Sequence, residues 1–389
     1  MGKIKAAILG AGFIGEAHIE AVRRLGLAEI AAVAQDGQDK ADQAARQFGI
    51  PKAYGDYRDL LRDPEIDVIH NCTPNYLHYS INKEVLESGK HLLSEKPLTL
   101  TSKEAEELYL LAKDKKRVTG VNFVYRQFPM VQHLREMVRN GDLGDIRIVR
   151  GHYLQDWLLY ETDYNWRIEP EYGGNTRAIG DIGSHLFDLA QYVTRMRITE
   201  VLADRAVLIP RRRKPVAGSR TFQNGDVGET ELVEITTEDY CSVIVKFDSG
   251  ARGVFTVSQV SAGNKNALDL HLDGSQATGS WRQEEPFRLE LGYRDKPGET
   301  VRRDPVMLKQ AARPFVHYPG GHEEGWADSM RNMMQNFYAA VAGKAEQSDS
   351  VASFKEGYQI ALINDAIVKS AETGSWQKVE QVDHAHALQ

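Results

Sequence analysis

The feature that most constrains this chain is Gly10-Ala11-Gly12-Phe13-Ile14-Gly15. It follows an apolar run, Ile4–Leu9, and opens a stretch in which Ile14, Ala17, Ala21, Val22 and Leu25 recur at helical spacing. Strand, glycine turn and helix thus come in immediate succession. The glycines of such a turn act in different ways, giving a tight reversal, close approach of backbone to a pyrophosphate, and close packing of helix on strand. The helix N-terminus adds free N–H groups and the positive end of its dipole. The segment therefore predicts a dinucleotide-binding Rossmann domain that holds its cofactor through Gly10, Gly12, Phe13, Ile14 and Gly15. An acidic residue to take the ribose hydroxyls is expected about 20 residues on, at the end of the second strand. Gln35 stands there, followed by Asp36. No arginine follows to hold a 2′-phosphate and Asp36 would repel one, so NAD is expected, with NADP left open by Gln35.

The rest of the first third keeps the same rhythm. Glu29–Ala34, Asp67–Asn71, His91–Ser94 and Val118–Asn122 read as strands, with helical patterns over 76–88 and 101–112 between them. Beyond about residue 145 longer strand-like stretches (146–154, 198–209, 229–238, 241–247, 252–260 and 267–273) are joined by turn signals such as Asp273-Gly274. Helices are expected at about 181–194 and 322–342, then a last one from Phe354 and a short strand at 376–380. The expected class is α/β: an N-terminal Rossmann domain over 1–124, and over 125–389 an α+β domain with a large open, mostly antiparallel sheet for substrate and oligomer contacts. The final helix is a candidate to pack back on the first domain. At 389 residues, two domains is also what length alone suggests.

Composition excludes several classes. A net charge of -7 gives no purchase for nucleic acid or an anionic membrane. The single basic run, Arg211-Arg212-Arg213-Lys214, lies between Pro210 and Pro215 and reads as a solvated loop. Two cysteines, Cys72 and Cys241, cannot form a disulfide framework, no apolar stretch reaches a membrane span, and no signal peptide precedes Ile4. Met1-Gly2 lacks the Ser or Thr that myristoylation wants, since Ala6 stands there. A cytoplasmic protein is expected.

His91-Leu92-Leu93-Ser94-Glu95-Lys96-Pro97 is more specific. With Thr73-Pro74-Asn75 and His78, Tyr125-Arg126, Trp166-Arg167 and Gly180-Asp181-Ile182-Gly183-Ser184-His185, in that order, the chain resembles the Gfo/Idh/MocA family of sugar and inositol oxidoreductases. Independently of any resemblance, ligands of an open α/β sheet lie beyond the carboxyl ends of its strands, where 73–75 and 95–97 fall. The resemblance implies that Lys96 reaches the reacting hydroxyl and the nicotinamide end. It implies that Thr73, Pro74, Asn75, His78, Glu95 and Arg126 contact cofactor, and that Tyr125, Trp166, Arg167 and Asp181 bind substrate. His185 would accept the hydroxyl proton. Gln35 and Gly173-Gly174-Asn175, where many members carry a third glycine, depart from the pattern.

Asp181, His185 and Asp188 share one helical stripe by their spacing, while Ile182, Leu186, Leu189 and Val193 form an apolar one. A histidine suits proton acceptance from an alcohol near neutral pH. No further ligands complete a metal site around Asp181 and His185. Tyr153, Trp157, Tyr160, Tyr164, Trp166 and Tyr172 crowd one segment and offer rings for a pyranose or cyclitol, or simply core. His317, His322 and Trp326 are candidates to close the pocket, with His322 a substrate contact. The expected reaction is oxidation of a secondary ring hydroxyl of a sugar, an anhydrosugar such as levoglucosan, or an inositol. The chain length and Gly320-Gly321-His322-Glu323-Glu324-Gly325-Trp326 resemble those of the family's levoglucosan-oxidising members. An NAD-dependent glycosidase and a non-catalytic dinucleotide sensor are the competing readings. Finally, a sheet face with Val243, Val245 and Phe247, and Val254, Thr256 and Ser258 on the paired strand, is expected to be buried in a homodimer or homotetramer.

Overall fold

The computed structural model describes residues 3–216 and 228–382. The first strands and helices alternate: β1 (Ile4–Leu9), α1 (Phe13–Arg23), β2 (Ala28–Ala34), α2 (Gln38–Phe48), β3 (Lys52–Tyr54), α3 (Tyr57–Leu61), β4 (Val68–Asn71), α4 (His78–Glu87), β5 (His91–Ser94), α5 (Ser102–Lys115) and β6 (Thr119–Val121). The strands form one parallel sheet in the order β3-β2-β1-β4-β5-β6. That order is the doubly wound Rossmann arrangement, whose ligand crevice opens where the order reverses beside β1. The strands are short and nearly all buried, as a sheet covered on both faces requires. β3, three half-buried residues at the edge, is not visible in the hydrophobic pattern.

The second set comprises α6 (Pro129–Arg139), β7 (Ile146–Leu154), α7 (Pro170–Gly173), α8 (Ser184–Thr194), β8 (Ile198–Ala206), β9 (Arg211–Pro215), β10 (Thr230–Glu234), β11 (Tyr240–Phe247), β12 (Arg252–Ser258), β13 (Ala267–Gly274), β14 (Thr278–Arg282), β15 (Arg288–Gly292) and β16 (Glu299–Arg302). The chain ends with α9 (Trp326–Val341), α10 (Phe354–Thr373) and β17 (Gln377–Lys378). Nine strands make one sheet, β16-β15-β14-β13-β7-β12-β11-β8-β17, antiparallel except where β7 runs parallel to β12. Two compact units result. One holds residues up to Gln127 together with Trp326–Tyr358; the other holds Phe128–Gly325 and the residues from Gln359 on.

Two expectations need correction. The basic run is strand β9, paired with β10, and no loop. Arg212 is wholly buried there, its guanidinium donating to the carbonyls of Leu158, Tyr160 and Asp163 and to Asp239. Five donors in a planar fork let an arginine be buried where a count of charges predicts a solvated tip. The open sheet face also has a different parity from the one expected. Val243, Val245 and Phe247 point inward, and Val243 lies opposite Phe255, whose ring meets Phe187 of α8 at 5.8 Å. The exposed face carries Ile244, Val254 and Ile148, each over two-fifths exposed, with Ile244 directly opposite Val254. Residues opposite each other share a face, so Val243 and Val254 cannot.

Candidate active site

The first unit presents its groups from strand ends. Gly10 has φ 85°, and a Cβ there would stand 2.8 Å from the carbonyl oxygen of Cys72. A Cβ on Gly15 would fall 2.1 Å from the Gly10 oxygen, so helix α1 sits directly on the turn. A Cβ on Gly12 would meet nothing within 4 Å. Gly10 thus serves conformation, Gly15 packing and Gly12 clearance, and the cleared space above Gly12 at the start of α1 fits a pyrophosphate. Exposed Phe13 stacks on Trp326 with ring centroids 6.1 Å apart, beside the turn. Gln35 follows β2 with its N–H on the Tyr54 oxygen, and Asp36 is exposed and paired with Lys40 at 2.8 Å.

Beyond β4, the Thr73 hydroxyl donates to Asn71 Oδ1, and Pro74 leads into a short turn of helix, Asn75–Leu77, with Asn75 buried. His78 is wholly buried, its Nδ1 2.6 Å from the Pro97 oxygen and its Nε2 2.9 Å from the Thr73 oxygen. It therefore ties the loop after β4 to the loop after β5. Burial pulls its pKa below the ordinary histidine value against the pull of both carbonyls. Glu95 is buried beyond β5: Oε1 accepts from His18 Nε2 (3.0 Å) and Asn122 Nδ2 (2.6 Å), and Oε2 from the Lys96 N–H (3.1 Å). Burial pushes its pKa up, but the bonds from His18 and Asn122 and the nearby Lys96 outweigh that and hold it below the ordinary carboxylate value. Lys96 follows, half-buried. Tyr125 and Arg126, both buried, lie in a short helical turn after β6, and Arg126 Nη1 donates to the Asp349 oxygen at 2.9 Å.

Trp166, Arg167, Asp181, His185 and His322 belong to the second unit. Asp181 lies in a π-helical turn, Ile179–Gly183, that runs into α8, where His185 is 7% exposed. Asp181 Oδ2 accepts from Gln259 Nε2 at 2.9 Å, and its Oδ1 lies 3.6 Å from Arg167 Nε. The Arg167 guanidinium sits 4.4 Å over the Trp166 ring. Tyr153 on β7 has its ring 6.3 Å from that of His185, and its hydroxyl donates to Asn266 Oδ1, which also accepts from Gln155 at 3.0 Å. Among the clustered aromatics, Trp157 and Tyr164 pack on a small core of Leu158, Ile168 and Ile235, and Tyr160 is two-thirds exposed. His322 is exposed, its carbonyl accepting from Arg303. Sequence reasoning passes over Gln155, Gln259 and Asn266 in one unit and His18, His70 and Asn122 in the other. For His18 and His70 a signal is present: each interrupts a face that should be apolar.

With this geometry in place, comparison with known proteins is informative. A profile of the oxidoreductase family GFO/IDH/MocA, NAD-binding Rossmann fold, matches residues 4–123, and one of the GFO/IDH/MocA C-terminal domain matches 131–279. The chain belongs to the GFO/IDH/MocA family. As a member of that family it is an oxidoreductase with an NAD-binding Rossmann domain. It is 30% identical to levoglucosan dehydrogenase of Pseudarthrobacter phenanthrenivorans, over 98% of this chain and 100% of that protein. It is 25% identical to D-glucoside 3-dehydrogenase of Escherichia coli, over 96% of both. Among solved structures, levoglucosan dehydrogenase in complex with NADH and L-sorbose is similar with a TM-score of 0.89 and 28% identity, over 98% of this chain and 100% of that one. Among the described residues, no helix is long and apolar enough to cross a membrane.

Proposed function

We propose that this enzyme oxidises a secondary ring hydroxyl of an unphosphorylated cyclic polyol, with an anhydrosugar such as levoglucosan or a glucoside ahead of an inositol. Bound NAD supplies the hydride acceptor. Gly10, Gly12 and Gly15 shape its phosphate site, Phe13, Ile14, Gln35, Asp36, Thr73, Pro74 and Asn75 line the adjoining strand ends, and Arg126 and His78 fix the loops around them. Lys96 stabilises alkoxide character on the substrate oxygen as its proton leaves, and His185 accepts that proton. Asp181, Tyr125, Trp166, Arg167 and His322 bind the sugar.

The observation that carries the substrate class is the state of Arg167. Its guanidinium faces Asp181, donates to Asn165 and stacks on Trp166, so its charge is already answered within the second unit. A phosphate-binding site needs surplus cationic donors. Neutral hydroxyls instead suit a carboxylate and carboxamides held in place, as Asp181, Gln259 and Asn266 are. Support for the anhydrosugar comes from full-length similarity to levoglucosan dehydrogenase. A panel of anhydrosugars, glucosides, inositols and sugar phosphates, assayed for NADH and NADPH formation with the keto product identified by NMR, tests the reading. Turnover confined to sugar phosphates or to acyclic 2-hydroxy acids overturns it. We further propose that the exposed face bearing Ile148, Ile244 and Val254 is covered by a second copy, giving a homodimer or homotetramer in the cytoplasm. A monomer in sedimentation at micromolar concentration overturns that.

A further inference from the structure

A line of buried polar side chains crosses the first unit. The Tyr338 hydroxyl on α9 lies 2.6 Å from His70 Nε2 on β4. His70 Nδ1 lies 2.9 Å from Nδ1 of His18 on α1, and His18 Nε2 lies 3.0 Å from Glu95 Oε1. Tyr338, His70 and His18 are fully out of solvent. Such groups among Ile8, Leu93 and Phe337 destabilise a sheet unless every donor finds an acceptor.

That condition fixes where each proton sits. Among the described residues, His70 is the only hydrogen-bond partner of the Tyr338 hydroxyl, and a buried O–H that donates to nothing is destabilising. The O–H therefore points at His70 Nε2, which is bare. Burial keeps His70 neutral, its pKa well below the ordinary value, so its one proton is on Nδ1 and faces His18 Nδ1. His18 Nδ1 is then the acceptor. Its Nε2 faces a carboxylate, which accepts only, and so carries the proton.

We propose that Tyr338, His70 and His18 form a one-directional chain of donors that locks the Glu95 carboxylate in place as acceptor for the Lys96 N–H, making all three positioning residues for Lys96. The mechanistic consequence rests on the role proposed above for Lys96; the proton arrangement does not, and can be tested without substrate. The chain orients and transfers nothing, since every hydrogen already faces its acceptor. The ionisable groups bearing on Glu95 are His18 and Lys96, with Cys72 and His78 within reach of its field.

Glutamine separates orientation from proton transfer at position 18. Its amide donates from nitrogen and accepts at oxygen, as this tautomer of histidine does. In the 15N-histidine-labelled full-length protein at pH 8, His70 should be protonated on Nδ1 alone and His18 on Nε2 alone. A doubly protonated His18, or one bare at Nε2, overturns the chain whatever the substrate proves to be. His18→Gln should hold kcat within about threefold, whereas His18→Leu should lower it about tenfold with substrate KM unchanged. In His18→Leu the Glu95 carboxyl, followed by 13C shift, should also titrate at least one pH unit higher. Tyr338→Phe should leave His70 as a mixture of tautomers. If His18→Leu does not fold, the wild-type spectrum and the Gln and Phe variants decide: an unmixed His70 in Tyr338→Phe, or loss of kcat in His18→Gln, refutes the proposal. A His18→Leu enzyme with wild-type kcat and Glu95 titration refutes it equally.

Discussion

The glycine turn of the first unit and the Asp181–His185 cluster of the second are built by opposite means. At the turn, function falls to backbone. N–H groups, a carbonyl and missing Cβ atoms do the work, and they come from six consecutive residues. Around Asp181 and His185 the work falls to side chains from β7, α8, the end of β12 and the start of β13, held by hydrogen bonds from Tyr153 and Gln155 to Asn266 and from Gln259 to Asp181. Backbone sites answer to sterics and side-chain sites to chemistry, so the two should fail differently when altered.

The largest expected effect is chemical. His185→Ala should lower kcat by about 10²–10⁴, with partial recovery above neutral pH as hydroxide substitutes for the base. Lys96→Ala should lower it by about 10²–10³ while NADH still binds. Stopped-flow and steady-state rates on the substrate identified by the panel check both; a wild-type pH–rate profile in His185→Ala removes it as the base. The turn should respond sterically. Gly15→Ala forces a Cβ against a backbone oxygen that cannot yield, and should destabilise the protein by about 3 kcal/mol in urea unfolding. Gly12→Ala meets open space, and should leave stability alone while weakening NADH binding measured by fluorescence titration. Equal behaviour of the two variants would break the distinction between packing glycine and clearance glycine.

This contrast also explains what can be read from sequence. The turn is legible because its residues are contiguous and each exists for a steric reason. Asp181 and His185 are legible as a pair on one helix, but Gln259 and Asn266 reach their places only through the pairing of distant strands. Asn and Gln are too common for any one to stand out. Charge misleads for Arg211–Lys214, since burial of Arg212 depends on three carbonyls and Asp239 that no local window contains. Sheet parity is not legible from strands taken singly. Register across the pair, Ile244 opposite Val254, assigns the faces.

The smallest effect separates the units by acid. Burial lowers the pKa of His70 and His78 in the first unit, and that of His133, to about 4, in the second. A histidine whose folded pKa lies below its unfolded value of about 6.5 takes up its proton more readily unfolded. Its contribution is thus present above about pH 6.5 and is lost as pH falls toward the folded value, by about 1.4 kcal/mol per pH unit and group. Urea midpoints should fall from pH 7 to pH 5. Pulse proteolysis at pH 5 should cut first in the unit that holds His70 and His78. Cleavage that begins in the second unit reverses the comparison.

The hydroxyl that sets the direction of the histidine chain arrives late in synthesis. Tyr338 and Phe337 lie against His70, and the Val121 N–H donates to the Ala352 oxygen, across more than two hundred residues of chain. As the ribosome releases the first 127 residues, His70 and His18 have each other but no phenol to close the line, and the edge at β6 lacks its partner. Those residues expressed alone would carry an incomplete polar core, and contacts this distant along the chain slow the final step of folding. The nucleotide-binding half is encoded first, yet it is among the last parts of the molecule to be finished.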